Sequence, residues 1–262
     1  MQARTALEPN TTGGWLWHLR AIWRRHDWKP TTHLIAEWLH TTRPLSKHLL
    51  LIGGSAGWMM PSSWLQGFSE VDLVDIDPWA YRLFQLNHGR ALEASMTHLR
   101  FLRVDGLSEL EYLLAQYPQA SVFFDNVLGQ QIYRCRDVYK TERALTRAVS
   151  CLAGRDWGSI HDLYSGPTRS GVAASVIKPI EAFAGPTGPV VGKLREIELH
   201  RHLLEQVGGY PYWVDHLTST VFPSGTRTTL IAWSFAPSYA HWLQAGWVAA
   251  PSCVSSPIMG SD

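Results

Sequence analysis

The chain has 262 residues, 45% hydrophobic and 17% charged, and its 23 basic and 22 acidic side chains leave a net charge of +1. This length suits one large α/β domain or one domain with appendages, and so apolar a composition excludes global disorder. The even charge balance lacks the basic surplus of a nucleic-acid-binding surface, so no nucleic-acid partner is expected, although Arg20, Arg24 and Arg25 stand close together.

Cys135, Cys151 and Cys253 have no metal-type spacing and read as reduced thiols of a cytoplasmic protein. Residues Met1–Gly14 are polar, without the apolar centre of a signal peptide. No run of about 18 apolar residues occurs, so no membrane partner is expected. Trp is unusually frequent, with Trp15, Trp17, Trp23, Trp28 and Trp38 near the start.

Residues 1–46 read as a helical cap. Leu16, Leu19, Ile22 and Trp23 recur at helical spacing, as do Leu34, Ile35, Trp38 and Leu39, with Pro30 and Thr31 separating two helices. Such a cap packs on a domain or forms a lid over its site, and the two are compatible.

From 47 to 249 short apolar runs alternate with helical stretches. Strands are predicted at Leu49–Ile52, Val71–Ile76, Phe101–Val104, Val122–Phe124 and Ile160–Leu163. Helices are predicted at Pro78–Leu92, Leu107–Tyr117 and Val138–Leu152. This alternation implies βαβ units: a Rossmann-like, mostly parallel sheet with helices on both faces. The stretch Tyr164–Gly192 is rich in Gly, Pro, Ser and Thr, which predicts an inserted loop over 164–193 with a short helix near Ala173–Ile177. A helix over Leu194–Val207 ends at Gly208-Gly209. Trp213–Val221 and Thr228–Phe235 read as a C-terminal antiparallel pair, Pro237 opens a last helix to Trp247, and 250–262 is a flexible tail.

The chemistry starts at Leu49-Leu50-Leu51-Ile52-Gly53-Gly54-Ser55-Ala56-Gly57. An apolar strand runs into a loop of small residues whose backbone N–H groups can approach a ligand closely. The spacing is not the G-x-G-x-x-G of a dinucleotide site. Asp75, at the end of the next strand, is placed to accept hydrogen bonds from two ribose hydroxyls. Asp77 is the alternative on the same strand face, and Ile76 is an apolar neighbour for a base. Asp105-Gly106 follows strand three, and Asp125-Asn126 ends strand four. In open α/β sheets these loops meet beyond the carboxyl ends of the strands.

This ordered set resembles class I S-adenosylmethionine-dependent methyltransferases. The resemblance covers about 49–235 and implies a final antiparallel strand inserted into the sheet. It implies S-adenosylmethionine as cofactor, held by Gly53, Gly54, Ser55, Ala56, Gly57, Asp75, Ile76, Asp77, Asp105, Gly106, Asp125 and Asn126. Two positions depart from the family pattern. Leu51 stands where an acidic residue usually holds the methionine amino group, and Ser55 replaces the middle glycine. The loop with Val74-Asp75-Ile76-Asp77-Pro78 also resembles spermidine synthases, but Asn126-Val127-Leu128-Gly129 occupies the place of their further catalytic aspartate.

The implied activity is methyl transfer to a small-molecule nitrogen or oxygen. The alternatives are aminopropyl transfer, or a non-catalytic protein that binds cofactor or partner. Acceptor-side candidates follow strands four and five: Asn126, Gln130, Tyr133 and Tyr164 for substrate, and His161, Asp162 and Tyr133 for catalysis. His161 and Asp162 read equally as groups that satisfy a strand end. Arg134 and Arg136 read as solvated surface. His200, His202 and His216 lack ligand spacing, so no metal is expected. A homodimer is left open.

Overall fold

The computed structural model describes residues 14–168, 177–190 and 213–251. Five parallel strands form half of one sheet: β1 (His48–Ile52), β2 (Glu70–Val74), β3 (His98–Leu102), β4 (Ser121–Asp125) and β5 (Trp157–Pro167). The other half is antiparallel: β6 (Ile180–Gly185), β7 (Gly188–Val190), β9 (Arg227–Ala236) and β10 (Tyr239–Val248), with the two-residue β8 (Val214–Asp215) paired to β5. The order is β3-β2-β1-β4-β5-β10-β9-β6-β7. This is the expected Rossmann-like architecture, with the last strand inserted antiparallel between β5 and β9. The antiparallel half is larger than the strand pair read from the sequence.

Strand alternation feeds two cores. Leu49, Leu51, Val71, Leu73 and Phe123 face one side of the sheet with α1 (Trp15–Thr41), α2 (Ser62–Leu65) and the helical stretch Ala80–Ala94. Leu50, Ile52, Val74, Val122 and Phe124 face the other, with α5 (Leu110–Gln116) and α7 (Val138–Cys151). Burial on both faces explains why the strands read as continuous apolar runs. The stretch Ala80–Ala94 comprises α3 (Ala80–Phe84), a π-helical turn (Gln85–Gly89) and α4 (Arg90–Ala94). Between β4 and α7 lies α6 (Gln131–Cys135).

The N-terminal segment is one helix rather than two, and Pro30 lies inside α1. A proline there removes one backbone hydrogen bond. Anchors on both sides of it hold the helix across the break. Trp28 Nε1 donates to the Phe235 carbonyl at 3.2 Å, and Thr31 Oγ1 donates to the Ala232 carbonyl at 3.2 Å. Tertiary packing on β9 outweighs the local breaker.

The C-terminal expectations are corrected in three places. The hairpin is β9–β10, turned by Pro237 and Ser238, so the helix expected from Pro237 is a strand. That strand is buried along most of its length, and two-sided burial erases the period-two signal. Only Val214–Asp215 of the span 213–221 is strand. Where a loop was expected from Tyr164, β5 continues to Pro167, and β6 and β7 follow. The helices expected near Ala173–Ile177 (apart from Ile177 itself) and over Leu194–Val207 lie outside the described residues, as does the tail from 252. Among the described residues no helix is long and apolar enough to cross a membrane.

Candidate active site

A cavity of about 730 Å³ opens at the carboxyl ends of the parallel strands. Its wall contains Gly53, Gly54, Ser55, Asp75, Ile76, Asp77, Asp105, Gly106, Asp125, Asn126, Gln130, Tyr133 and Asp162. The topology thus brings most of the residues named from the sequence to one place. Four are elsewhere. The Ala56 carbonyl accepts from Asn87 Nδ2 at 2.8 Å, and the Gly57 carbonyl accepts from His88 Nε2 at 3.1 Å, so both face α3–α4. His161 and Tyr164 are buried away from the cavity wall.

The loop after β1 is built around positive φ. Gly53 has φ +74° and Gly57 φ +67°, and a side chain on Gly53 would reach 2.9 Å from Val127 Cβ. Ser55, at φ +47°, donates its N–H to Asp75 Oδ2 at 2.9 Å, and the Asp77 N–H donates to Asp75 Oδ1 at 2.8 Å. Asp75 is therefore fixed in orientation. Burial pushes its carboxyl up, partly offset by these two amide bonds.

Asp77 does different work from that expected of a ribose ligand. Its Oδ2 accepts from the Gly14 amide at 2.7 Å and from His18 Nε2 at 3.0 Å, and its Oδ1 accepts from the Trp79 amide at 2.9 Å. It ties the start of α1 to the end of β2, where a negative group also suits the helix dipole.

Asp105 is likewise engaged. It accepts from the Leu107 and Ser108 amides and from Arg134. Burial raises its carboxyl, but Arg134 and the amides outweigh that and hold it below the usual range. Arg134 lines the cavity and folds over Asp105, which corrects its reading as solvated surface. Ile76 and Val104, more than a third exposed, leave two apolar side chains on the wall between Asp75 and Asp105. Asp125 ends β4 and is pushed up to about 7 by burial and by the Asp75 charge. A carboxyl in that state is stabilised by any cation placed beside it.

Another part of the wall is aromatic. Trp17, Trp233, Phe235 and Tyr239 line it, with Arg20 and Arg24 from α1, while Trp58 lines the cavity beside Asp77, its Nε1 donating to His18 Nδ1 at 3.2 Å. Trp17 lies 6.3 Å from Phe235 with nearly parallel rings, and Trp28 stacks on Phe235 from 5.7 Å. The N-terminal helix is thus both packed cap and cavity wall.

Here β5 and β10 meet. Asp162 Oδ1 accepts from His241 Nδ1 at 2.7 Å, and its Oδ2 accepts from Asn126 Nδ2 at 2.9 Å. Asn126 Oδ1 in turn accepts the Asp162 amide at 2.9 Å. Burial opposes the Asp162 charge, but His241, His216 and Asn126 outweigh it and bring the carboxyl down to about 2. His241 Nε2 is buried and has no hydrogen-bond partner, while the side chain lies on the cavity wall. A fixed carboxylate, an imidazole oriented through Nδ1–H, and a bare Nε2 make a proton acceptor.

His161, proposed for this role from the sequence, is on the other face of β5, stacked on Phe222 at 5.2 Å with its Nδ1 3.0 Å from Ser159 Oγ. Burial lowers it to about 4. Neighbours on a strand point to opposite faces, so only one of His161 and Asp162 reaches the cavity. Tyr164 packs with Leu163, Leu230 and Trp242. Asn126, with φ +56°, braces β4 against β5 rather than presenting its amide to a ligand.

Tyr133 and Tyr239 place their hydroxyls 3.4 and 3.1 Å from Ser165 Oγ, which lies 2.8 Å from His216 Nε2. His216 Nδ1 donates to the Gly129 carbonyl at 2.6 Å. Burial pushes Tyr133 up to about 12, so at neutral pH it keeps its proton and can serve as a hydrogen-bond donor. Asp162, His216 and His241 bring ligand-type atoms within 4.8 Å of one another. His216 spends both nitrogens on hydrogen bonds within the protein. Of the other two histidines grouped with it in the sequence, His200 and His202 lie outside the described residues.

His241, Trp233, Phe235 and Tyr239 were missed from the sequence. Their signal is the two-residue spacing of Trp233 with Phe235 and of Tyr239 with His241, which only a strand turns into a shared face.

No protein-family model and no curated protein sequence matches the chain. Solved structures of methyltransferases resemble it in outline. Magnesium protoporphyrin IX methyltransferase from Synechocystis PCC 6803, with bound SAH, shares 15% identity over 89% of each chain, with a TM-score of 0.42. A SAM-dependent methyltransferase from Anabaena variabilis shares 12% over 88% of this chain and 93% of its own, with a TM-score of 0.40. The glycopeptide N-methyltransferase MtfA shares 11% over 84% and 94%, with a TM-score of 0.37.

Proposed function

We propose that this chain is a class I S-adenosylmethionine-dependent methyltransferase acting on a small-molecule oxygen or nitrogen. The observation that carries the proposal is one cavity lined by two chemically distinct sets of groups. The glycine turn, Asp75 and Asp125 form one set, and the Asp162–His241 pair, joined to the end of β4 through Asn126, forms the other.

The residues fit the cofactor's parts. Asp75 has its carboxylate fixed by two backbone amides, with lone pairs left for a ribose diol. The exposed faces of Ile76 and Val104 offer a slot for a flat base. Asp125 stands in for the acid that Leu51 does not provide, and a bound ammonium would favour its charged form. S-adenosylmethionine, when bound, supplies an electrophilic methyl carbon on a sulfonium. The chain then has to orient the acceptor, exclude water and take a proton. His241 Nε2 takes the proton of the nucleophile, and Asp162 stabilises the resulting imidazolium. The α1 wall, through Trp17, covers part of the cavity.

Calorimetry with S-adenosylmethionine and S-adenosylhomocysteine tests the cofactor half. Binding that drops at least tenfold in Asp75→Ala is expected. No binding at millimolar ligand, or binding indifferent to Asp75→Ala, would refute it. Turnover of a decarboxylated donor with putrescine would replace methyl by aminopropyl transfer. Cofactor binding without transfer to a broad acceptor panel would make the protein a non-catalytic binder.

A further inference from the structure

The cavity wall around His241 says more than that a base is present. The His241 ring lies 5.0 Å from Trp233, 4.9 Å from Phe235 and 5.5 Å from Tyr239. Trp17 closes the same space from α1. The unpartnered Nε2 is therefore enclosed among aromatic side chains, and aromatic faces favour a flat ring by stacking and edge contacts. Two arginines of α1, Arg20 and Arg24, line the cavity. Arg24 is taken by Asp27 at 2.8 Å. Arg20 has no carboxylate partner among the described residues and holds its guanidinium 5.0 Å from the centroid of Phe235, the ring that also faces His241. A half-buried guanidinium stacked on an aromatic face keeps its N–H fork free for a planar anion.

We propose that the acceptor is a hydroxyaromatic carboxylic acid. Its ring lies among Trp17, Trp233 and Phe235, its carboxylate pairs with Arg20, and its hydroxyl gives its proton to His241 Nε2. This specifies the acceptor within the methyltransferase reading above and rests on it. The carboxylate is assigned to the acceptor rather than to the cofactor because Arg20 holds its guanidinium over Phe235, the ring that neighbours His241, whereas Asp75 is bonded to the glycine loop through the Ser55 amide.

The test is binding of 4-hydroxycinnamate, its methyl ester and 6-hydroxyhexanoate, followed by tryptophan fluorescence with and without saturating S-adenosylhomocysteine. The wild type is expected to bind the acid about tenfold tighter than the ester, roughly 1.4 kcal/mol, and to bind the aliphatic acid far more weakly. Arg20→Gln should erase the preference for acid over ester, and Arg20→Lys should keep part of it. Bound 4-hydroxycinnamate should show the red-shifted absorbance of its phenolate, and His241→Asn should remove that shift while binding persists. Circular dichroism shows whether each variant is folded. Equal affinity for acid and ester overturns the proposal. So does a preference that survives in folded Arg20→Gln, or a phenolate shift that survives in His241→Asn. Loss of S-adenosylhomocysteine binding in Arg20→Gln would assign that arginine to the cofactor's carboxylate and also overturn it. Failure of S-adenosylhomocysteine to bind the wild type refutes the methyltransferase reading instead, and the acid–ester comparison in its absence separates the two failures.

Discussion

Replacing Asp162 by asparagine should cost both stability and proton transfer. The carboxylate accepts from two donors, His241 Nδ1 at 2.7 Å and Asn126 Nδ2 at 2.9 Å. An amide offers one acceptor oxygen. If that oxygen stays with Asn126, the new NH2 faces His241, which must move its own hydrogen to Nε2 and then cannot accept a proton. If it turns to His241, two amide NH2 groups confront each other. Either way one buried, charge-assisted bond is lost, about 1.5–3 kcal/mol. The depressed carboxyl gives a second estimate. A shift from 3.8 to about 2 corresponds to about 2 kcal/mol. Because the folded-state value is the lower one, this contribution is fully present above the unfolded value near 3.8. It is lost as the pH falls toward 2.

Urea unfolding at pH 7 and pH 3 reads the effect. The variant should be about 2 kcal/mol less stable at pH 7, and the gap should narrow at pH 3. Methyl transfer to an accepted substrate should fall by roughly 10²–10⁴, the usual worth of a general base, with cofactor affinity preserved. A gap that does not narrow at pH 3 would show that Asp162 is not charged in the fold. Undiminished turnover in a folded variant would remove the pair from the mechanism.

Three further outcomes are expected. His161→Gln should leave turnover unchanged. Burial holds the His161 imidazole near 4, below its unfolded value of 6.5, so its neutral form is the stable one. The wild type then loses stability as pH falls from 6.5 toward 4, and the variant's urea midpoint should be flatter over that window. Asp125→Asn should raise the melting temperature at pH 8 and leave it unchanged near pH 4. A carboxyl raised to about 7 is favoured protonated, so its contribution is full below 3.8 and lost as pH rises to 7. The same variant should abolish any strengthening of S-adenosylmethionine binding through pH 7, measured by calorimetry. Gly53→Ala should cost about 1–3 kcal/mol in urea unfolding, because φ is +74° and the added Cβ would reach 2.9 Å from Val127 Cβ.

The parallel half of the sheet was legible because its signals are local. Leu49–Ile52 and Val122–Phe124 are unbroken apolar runs, and the residues after them, Gly53 and Asp125, sit where a strand must end. Strand order then delivers those ends to one cavity, so Asp75, Asp105 and Asp125 met as the sequence implied. The antiparallel half was not legible. Tyr239–Val248 is buried on both faces and follows a proline, so neither alternation nor a strand-start signal marks it. With that strand unread, His241 could not be found, and the catalytic candidates were His161, Asp162 and Tyr133, of which Asp162 lines the cavity as the partner of His241 while His161 lies on the other face of β5.

The sequence by itself determined the glycine turn, the acidic ends of β2 to β4 and the apolar strands, because each depends on backbone sterics and burial within a few residues. The tertiary structure decided which face of β5 meets the cavity, that α1 crosses Pro30 unbroken on β9, and that Asp77 and Asp105 are spent on His18 and Arg134. Those outcomes depend on partners from 29 to more than 200 positions away in the chain, and no local pattern encodes the pairing.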